Sequence, residues 1–250
     1  MCLEITDIRE KNALLNRPTL RPVAEDGILV EYEEEVHPEI NKKVRQLAQT
    51  IEKHAPSGLN EVIPAYRSLM VFFDPFQIKI EAMLDLITHF VEGAVVDEPL
   101  PPRLFRIPTV YGGEYGPDLE RISRLKQLSP EEVIGLFSSV NYLVYCLGFL
   151  CSLAYLGGVP EILDVPRLTS PRPFIPVGSV GYSGRQANIL PIDQPSGFNY
   201  IGRAFVKVYD PRNFPPTLFR PGDYIQCLSV SEEEAKKAGE KDLGDFIESL

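Results

Sequence analysis

The chain has 250 residues, 44% of them hydrophobic, and a formal net charge of -10 at pH 7. This length suits one or two ordinary domains with a buried core. The acidic balance argues against a nucleic-acid or anionic-membrane partner, since either needs a concentrated basic face. The N-terminus carries charges where a signal peptide needs an apolar core, and the apolar run Tyr142–Leu156 is too short for a bilayer-spanning helix. Its four cysteines form no CxxC pair, so we expect a cytoplasmic protein with reduced thiols and no metal cluster.

The first hundred residues alternate between strand and helix patterns. Apolar residues at helical spacing predict one helix that starts at Pro38 and another after Pro75. Branched and aromatic residues predict four strands, over Gly27–Glu33, Asn60–Pro64, Ser68–Asp74 and Arg103–Val110. The order β-α-β-β-α-β is that of the ferredoxin-like split βαβ arrangement.

The remaining residues predict a different architecture. Prolines around residue 100 indicate a rigid connector, and a capping box at Ser129 predicts a helix to about Ser138. Short strands separated by Gly and Pro then favour a closed or nearly closed β-barrel. A mostly charged stretch from Ser231 predicts a solvated helix or a tail. We therefore expect an N-terminal α/β domain over residues 1–100, a β-barrel domain over 101–230 and a charged helix or tail over 231–250.

A glycine-rich loop with two carboxylates precedes a predicted helix at Leu119. Such a loop can present backbone N–H groups to an anion while a carboxylate holds a metal or a substrate amine. The alternative is that its aspartate caps the helix and its glycines form a turn, and local sequence favours neither interpretation. The residues concerned are Tyr111, Gly112, Gly113, Glu114 and Asp118.

Two further segments carry candidate ligand-binding residues. The small residues around Ser179 and before Gln186 would let a ligand reach the backbone, and the Gln186 amide can both donate and accept a hydrogen bond; tight barrel turns are the locally favoured alternative. Arg67 begins a predicted strand, where a surface ion pair is the commoner role. The three histidines fall at the start, end and face of predicted helices, which argues against a histidine general base.

Six blocks in order carry a family resemblance between about Arg21 and Leu228: PAYRSLMVFFDP, IPTVYGGEYGPDLE, YLVYCLGFLCSLAYLGG, PRPFIPVGSVGYSGRQANILP, PSGFNYIGR and RPGDYI. Through them the chain resembles the family of KipI and the B-type component of 5-oxoprolinase, also called allophanate hydrolase subunit 1 or carboxyltransferase subdomain C/D. The resemblance implies an α+β protein in which the ferredoxin-like domain is followed by a cyclophilin-like β-barrel.

For function, the resemblance implies one subunit of an ATP-dependent 5-oxoprolinase, which opens the lactam of pyroglutamate. Phosphorylation of the lactam oxygen would create a leaving group that water displaces, so ATP with Mg²⁺ is the implied cofactor. The implied partners are a homologous second subunit, of the type found in KipA and the C-type component of 5-oxoprolinase, and a third, LamB/YcsF-type subunit. Two alternatives stay open: a KipI-like inhibitor of a histidine kinase, and a carboxyltransferase component that moves a carboxyl group from biotin to urea.

The resemblance also implies a site in the barrel domain, between the Glu114 loop, the Gly148-Phe149 block and the Gly178–Gln186 loop. We assign catalytic roles to Glu114, Asp118 and Gln186, and no metal ligand. Substrate or nucleotide binding is assigned to Arg67, Tyr111, Gly112, Gly113, Gly148, Phe149, Ser179 and Arg185.

Three departures from the usual family blocks are visible. Phe137 stands where a histidine is usual, Cys151-Ser152 where Pro-Gly is usual, and Ala187-Asn188 where Thr-Gly is usual. We expect the three to cluster in the pocket and to retune it for 5-oxoproline or a close analogue rather than to abolish the chemistry.

Overall fold

The computed structural model describes residues 17–93 and 100–249, which fall into two units divided between Pro101 and Pro102. The described elements of the first unit are β1 (Thr19–Val23), β2 (Gly27–Glu31), α1 (Pro38–Lys53), β3 (Leu59–Pro64), β4 (Ser68–Phe73) and α2 (Ile80–Val91). Its strands form an antiparallel sheet in the order β1-β2-β4-β3.

The first unit departs from the predicted strand assignment at one edge. The predicted fourth strand, Arg103–Val110, belongs to the second unit, and β1 takes the edge position beside β2 instead. The residue pattern of a strand does not say which sheet it joins, and the mostly exposed β1 carries no alternating pattern to predict it. Helix α2 also begins later than expected, because the Asp74 side chain accepts hydrogen bonds from the Phe76 N–H and from Gln77 and so closes a separate turn.

The second unit is built around a β-barrel. Its strands and helices are β5 (Arg103–Tyr111), α3 (Leu119–Lys126), α4 (Pro130–Ser138), β6 (Tyr142–Gly148), β7 (Leu153–Gly157), β8 (Arg172–Ile175), β9 (Ser179–Ser183), β10 (Gln186–Ile189), β11 (Gln194–Ser196), β12 (Asn199–Ala204), β13 (Tyr224–Ser229), α5 (Glu232–Ala238) and β14 (Ile247–Ser249). Seven of these strands follow one another in the order β12-β9-β10-β7-β6-β13-β5, and β5 pairs with β12 to close the ring. The predicted α+β class and the predicted barrel are both confirmed.

Two barrel strands separate an inner face from an outer one. On β10, Ala187 and Ile189 point into the barrel core, so Gln186 and Asn188 face outward because successive strand residues alternate. On β7 the same alternation puts Leu153 in a second, smaller core. A two-stranded ribbon of β8 and β11 contributes to this smaller core, which holds Leu153, Ile175, Leu190, Phe198 and Tyr200.

The segment after Ser231 packs onto the second unit. A capping box between Ser231 and Glu234 starts α5, and Ala235 and Ala238 on one side of the helix are buried. The chain then pairs β14 antiparallel with the start of β5. The sequence predicted a solvated helix or a tail here because most of its residues are charged. The buried side consists of small alanines, which give only a weak apolar pattern.

None of the helices in residues 17–93 and 100–249 combines the length and the apolar character that crossing a bilayer needs.

Candidate functional site

A cavity of about 390 Å³ lies in the second unit and is lined from β7, β10, the β8–β11 region and the loop after β6. Its walls contain apolar side chains from the smaller core and a small number of polar ones, the usual make-up of a small-molecule site. The residues that matter for its chemistry are Phe149, Tyr155, Arg167, Gln186, Asn188, Gln194, Ser196 and Phe198.

Three amide side chains give the cavity its polar character. Gln186 and Asn188 share the outer face of β10, and Gln194 begins β11. Asn188 is 4% exposed and Gln194 is 6% exposed, yet Asn188 Oδ1 and Gln194 Oε1 have no hydrogen-bond partner among the described residues. A buried polar atom left unpaired costs about 1–3 kcal/mol, so these two oxygens favour a ligand that supplies hydrogen-bond donors. Amides both donate and accept, which suits an amide-shaped ligand.

A hydrogen-bonded tyrosine holds part of this wall in place. The Tyr200 hydroxyl donates a hydrogen bond to Ser196 Oγ at 2.8 Å. Burial raises the pKa of Tyr200 to about 12, so the phenol stays neutral and keeps its proton for the bond to Ser196. Tyr200, on barrel strand β12, therefore holds the ribbon strand β11 through Ser196.

The loop between β6 and β7 places an aromatic ring at the cavity. Phe149 is 79% exposed and has φ 53°, while Cys151 and Ser152 have φ 50° and 56°. Residues other than glycine rarely adopt this left-handed conformation, and such strain concentrates at functional sites. A proline at position 151 is excluded from this backbone conformation, because its ring holds φ near -65°. The departure Cys151-Ser152 thus permits a loop path that the usual Pro-Gly pair would not follow.

Asp118 lies beside the cavity wall and not in it. Its carboxylate accepts two hydrogen bonds from Arg172, at 2.7 and 2.8 Å, and one at 2.8 Å from the Tyr200 N–H. The residue is 1% exposed and makes no side-chain cap to helix α3. Because Arg172 begins β8 and Tyr200 lies on β12, Asp118 fastens the ribbon to the barrel. Its geometry is that of a positioning residue.

The other residues of the predicted loop also serve the fold. The Tyr111 hydroxyl donates to the Cys227 carbonyl at 2.8 Å, and burial raises the pKa of Tyr111 well above its ordinary value. Gly112 and Gly113 have positive φ, and a Cβ on the neighbouring Gly116 would lie 2.1 Å from the Ile201 carbonyl oxygen. The glycines were predicted to let a ligand approach the backbone closely. In the structure it is strand β12 that lies close to this backbone.

Glu114 belongs to a turn that docks on helix α5. The adjacent Tyr115 donates its hydroxyl hydrogen to Glu232 at 3.0 Å and meets the Phe205 ring edge-on at 5.6 Å between centroids. Glu114 does not line the cavity. The predicted site between three segments required Glu114 and Gln186 to share one pocket. The structure does not bring these two residues together in the cavity.

Four more predicted residues lie outside the cavity lining. Ser179 is buried on β9, and Gly148 precedes the exposed Phe149; a Cβ at Gly148 would lie 3.8 Å from the Tyr155 ring. Arg185 donates to the Val159 carbonyl and lies 4.0 Å from Glu161. Arg67, in the first unit, donates to the Tyr32 carbonyl at 3.0 Å and lies 3.7 Å from Glu31, as the alternative interpretation of an ion pair expects.

The three family departures do not cluster in the cavity, which corrects that expectation. Phe137 is fully buried in the barrel core, with its ring stacked 5.5 Å from that of Tyr182 and 4.9 Å from that of Tyr142. Ala187 also faces the barrel core, and only Asn188 lines the cavity. The blocks of a sequence resemblance follow chain order, whereas the faces of strands and helices decide which residues share a pocket.

The sequence predicted Gln186 and Phe149 as site residues, and both line the cavity; several other lining residues were not predicted, among them Arg167, Gln194 and Phe198. Arg167 stacks its guanidinium over the Phe198 ring at 4.9 Å, and Gln194 supplies one of the unpaired oxygens. Phe198 stands inside the PSGFNYIGR block, which therefore carried a signal. Gln194 offered none, since an isolated glutamine between prolines is typical of a loop.

A second cavity, of about 360 Å³, lies between the loop after β12 and the segment before β14. Its lysines Lys207 and Lys241 are balanced by Asp210 and Asp242, and Arg212 pairs with Asp210 and lowers the pKa of that carboxyl. The charges therefore favour neither an anion nor a cation. In the part of the chain that the structure describes, no group of three His, Cys, Asp or Glu residues lies together as metal ligands would.

The unpaired amides make a stability test possible. Gln194→Met is expected to leave the free energy of unfolding unchanged or to raise it by about 1–3 kcal/mol, because it removes an unpaired buried oxygen and keeps the side-chain volume. Chemical denaturation of wild type and variant measures this. Asn199→Ala is the comparison, since both Asn199 hydrogen bonds from Nδ2, to the Pro166 and Tyr182 carbonyls, are satisfied. A Gln194→Met protein as destabilised as Asn199→Ala would show that Gln194 is a structural residue.

Comparison with known proteins places this geometry in context. Residues 18–219 match the family model described as carboxyltransferase domain, subdomain C and D. The chain is 36% identical to the B component of the 5-oxoprolinase of Bacillus subtilis over 228 residues, 87% of this chain and 95% of that protein.

Solved structures show similarity over parts of longer chains. The crystal structure of TTHA0988 superposes with a TM-score of 0.73 at 31% identity, over 85% of this chain and 40% of that one. The crystal structure of the Kluyveromyces lactis urea carboxylase superposes with a TM-score of 0.69 at 22% identity, over 93% of this chain and 24% of that one, which shows a shared fold.

Proposed function

Because the chain belongs to the family of the carboxyltransferase domain, subdomain C and D, we propose that it is a subunit of an ATP-dependent hydrolase of cyclic amides, of the 5-oxoprolinase type. The observation that carries the proposal is the amide-lined cavity, in a chain that covers 95% of the B component of a 5-oxoprolinase at 36% identity. The partners would be a homologous second subunit and a third subunit. The complex would work in the cytoplasm, where ATP is supplied.

The chemistry of the lactam explains what this chain would contribute. A five-membered lactam is a poor electrophile, so it must be activated at its oxygen and held for attack by water. Gln186, Asn188 and Gln194 would bind the amide group through complementary hydrogen bonds. The Phe149 ring beside them would exclude water from one side of the ligand.

The lining of the cavity suits a lactam better than Mg²⁺-ATP. A triphosphate brings several negative charges and a metal ion that prefers carboxylate ligands, whereas the described residues of the lining include one cation, Arg167, and no carboxylate. The roles assigned to this chain are therefore those of binding and orienting the amide substrate.

The function is tested in the assembled complex. Wild-type chain, mixed with the two partner subunits from the same organism, should release phosphate from ATP only when 5-oxoproline is present. Gln186→Ala should lower kcat/KM by about twofold to tenfold, the value of one hydrogen bond between uncharged groups. Phosphate release that does not respond to 5-oxoproline, or a complex that works equally well without this chain, would contradict the proposal.

A second candidate is transfer of a carboxyl group to a urea-like amide. The observation that favours it is the fold shared with the urea carboxylase, together with a cavity that suits small amides. Bicarbonate-dependent and biotin-dependent consumption of urea, measured with a biotin carrier present, would distinguish it from lactam hydrolysis.

A further inference from the structure

Among the described residues, the polar lining of the cavity combines three amide side chains with one cation, Arg167. Resting on the proposed function, we propose that Arg167 is a specificity residue that binds the carboxylate of an anionic cyclic amide while Asn188 and Gln194 hold its lactam group. The cavity would thereby select a lactam that carries a carboxylate over neutral amides such as urea.

The backbone around Arg167 is anchored on both sides. The Pro166 carbonyl accepts a hydrogen bond from Asn199 Nδ2 at 3.0 Å, and the Leu168 N–H donates to the Gly197 carbonyl at 2.8 Å. Both bonds tie the loop to the chain that enters β12. A fixed backbone limits the positions that the Arg167 guanidinium can reach, which lowers the entropy lost when a ligand is bound.

The guanidinium itself is oriented by an aromatic ring. Its central carbon lies over the Phe198 ring, 4.9 Å from the centroid, a cation–π contact that holds the charge at the cavity and does not use up the N–H donors of the guanidinium. Among the residues that the structure describes, no carboxylate forms an ion pair with Arg167. A planar guanidinium with free edges matches a carboxylate through two parallel hydrogen bonds.

The amides supply the complementary half. Asn188 Oδ1 and Gln194 Oε1 are buried and have no hydrogen-bond partner among the described residues, so either oxygen can accept the hydrogen bond of the one lactam N–H, and the Gln186 amide can donate to the lactam carbonyl. These amide side chains line the same cavity of about 390 Å³ as Arg167. An α-carboxylated five-membered lactam presents these two recognition elements on adjacent ring atoms.

A pair of ligands isolates the carboxylate contact. 5-Oxoproline and 2-pyrrolidinone share the lactam, and only the first carries a carboxylate. We expect Arg167→Gln in the full chain to weaken 5-oxoproline binding about tenfold to hundredfold, as the loss of a charge-assisted hydrogen bond does, and to change 2-pyrrolidinone binding less than twofold. Binding is measured by calorimetry or ligand-detected NMR without ATP, with thermal melting as a check on folding.

Two further variants serve as controls. Arg203 also stacks on a phenylalanine, 5.4 Å from the centroid of Phe205, and lies outside the cavity lining, so Arg203→Gln should bind both ligands like wild type. Gln194→Met should weaken both ligands alike, because it removes a contact to the lactam and not to the carboxylate. The ratio of the two affinities is thus the readout that a merely structural role would not change.

Other outcomes overturn the inference. Equal weakening of both ligands by Arg167→Gln would show that Arg167 supports the fold, and unchanged 5-oxoproline binding would show that the carboxylate lies elsewhere. A wild-type chain that binds neither ligand would remove the subsite altogether. Failure of the proposed function is recognised separately: the ligand ratio would respond to Arg167→Gln, yet the assembled complex would release no phosphate with 5-oxoproline.

Discussion

Replacing Asp118 with alanine is expected to lower the free energy of unfolding by about 3 kcal/mol, because it leaves the Arg172 guanidinium and the buried Tyr200 N–H without their shared acceptor. We take the lower end of the range for broken buried pairs, since the Arg172 side chain is 33% exposed and water can solvate it in part. Urea titrations that yield both midpoint and slope measure the loss.

Asp118→Ala should also weaken the attachment of the β8–β11 ribbon, which forms part of the cavity wall. Asp118→Asn keeps an acceptor for the Tyr200 N–H and removes the charge that faces Arg172, so it should lose less stability than Asp118→Ala. Glu161→Ala is the matched control, since Glu161 is 90% exposed and 4.0 Å from Arg185, and its midpoint should equal that of wild type. An Asp118→Ala protein that loses less than about 1 kcal/mol would show that the ion pair does not hold the ribbon.

Phe137→Ala is the second large effect that we expect, with a loss of about 3–5 kcal/mol. Phe137 is fully buried against Tyr142 and Tyr182, so its removal leaves a cavity in the barrel core. Phe137→His, which restores the residue usual in the family, should cost less. An imidazole keeps most of the volume, and the nearby Tyr182 hydroxyl has no partner among the described residues.

The histidine variant also tests where the site lies. Because Phe137 does not line the cavity, Phe137→His should not raise lactam hydrolysis by the assembled complex above the wild-type rate. Equilibrium denaturation and the phosphate-release assay, run on the same preparations, give both readouts. A gain of tenfold or more would place the chemistry in the barrel core and would contradict the site described above.

The elements with local signals could be predicted from the sequence. The capping box at Ser129 and the apolar stripe of α1 predicted helices that the structure contains, and the spacing of Gly and Pro predicted the barrel. The strand Arg103–Val110 was predicted in the wrong sheet, because pairing between strands depends on residues distant in sequence. A local sequence pattern predicts a strand or a helix, but it does not say which other elements lie beside it.

The alternation of side chains along β10 determines more of the cavity lining than the glycine content of the loops does. Gln186 was predicted from its block, and its partner Asn188 follows two residues later on the same face. Arg167 was missed because a single arginine in a loop has no spacing that indicates a ligand. The catalytic role of Asp118 stays a prediction. The structure shows that its carboxylate is paired with Arg172 and the Tyr200 N–H, and the sequence around Asp118 does not reveal these partners.

The short strand β14 bears on how readily the barrel associates with other molecules in solution. Strand β5 pairs with β13 along one edge, but along the other edge β12 reaches only residues 109–111, and β14 covers residues 103–105. An uncovered edge presents free N–H and C=O groups that invite a strand from another molecule. By pairing with residues 103–105, β14 covers part of this edge, and we expect it to reduce edge-to-edge association of the barrel although its three residues form no part of the cavity lining.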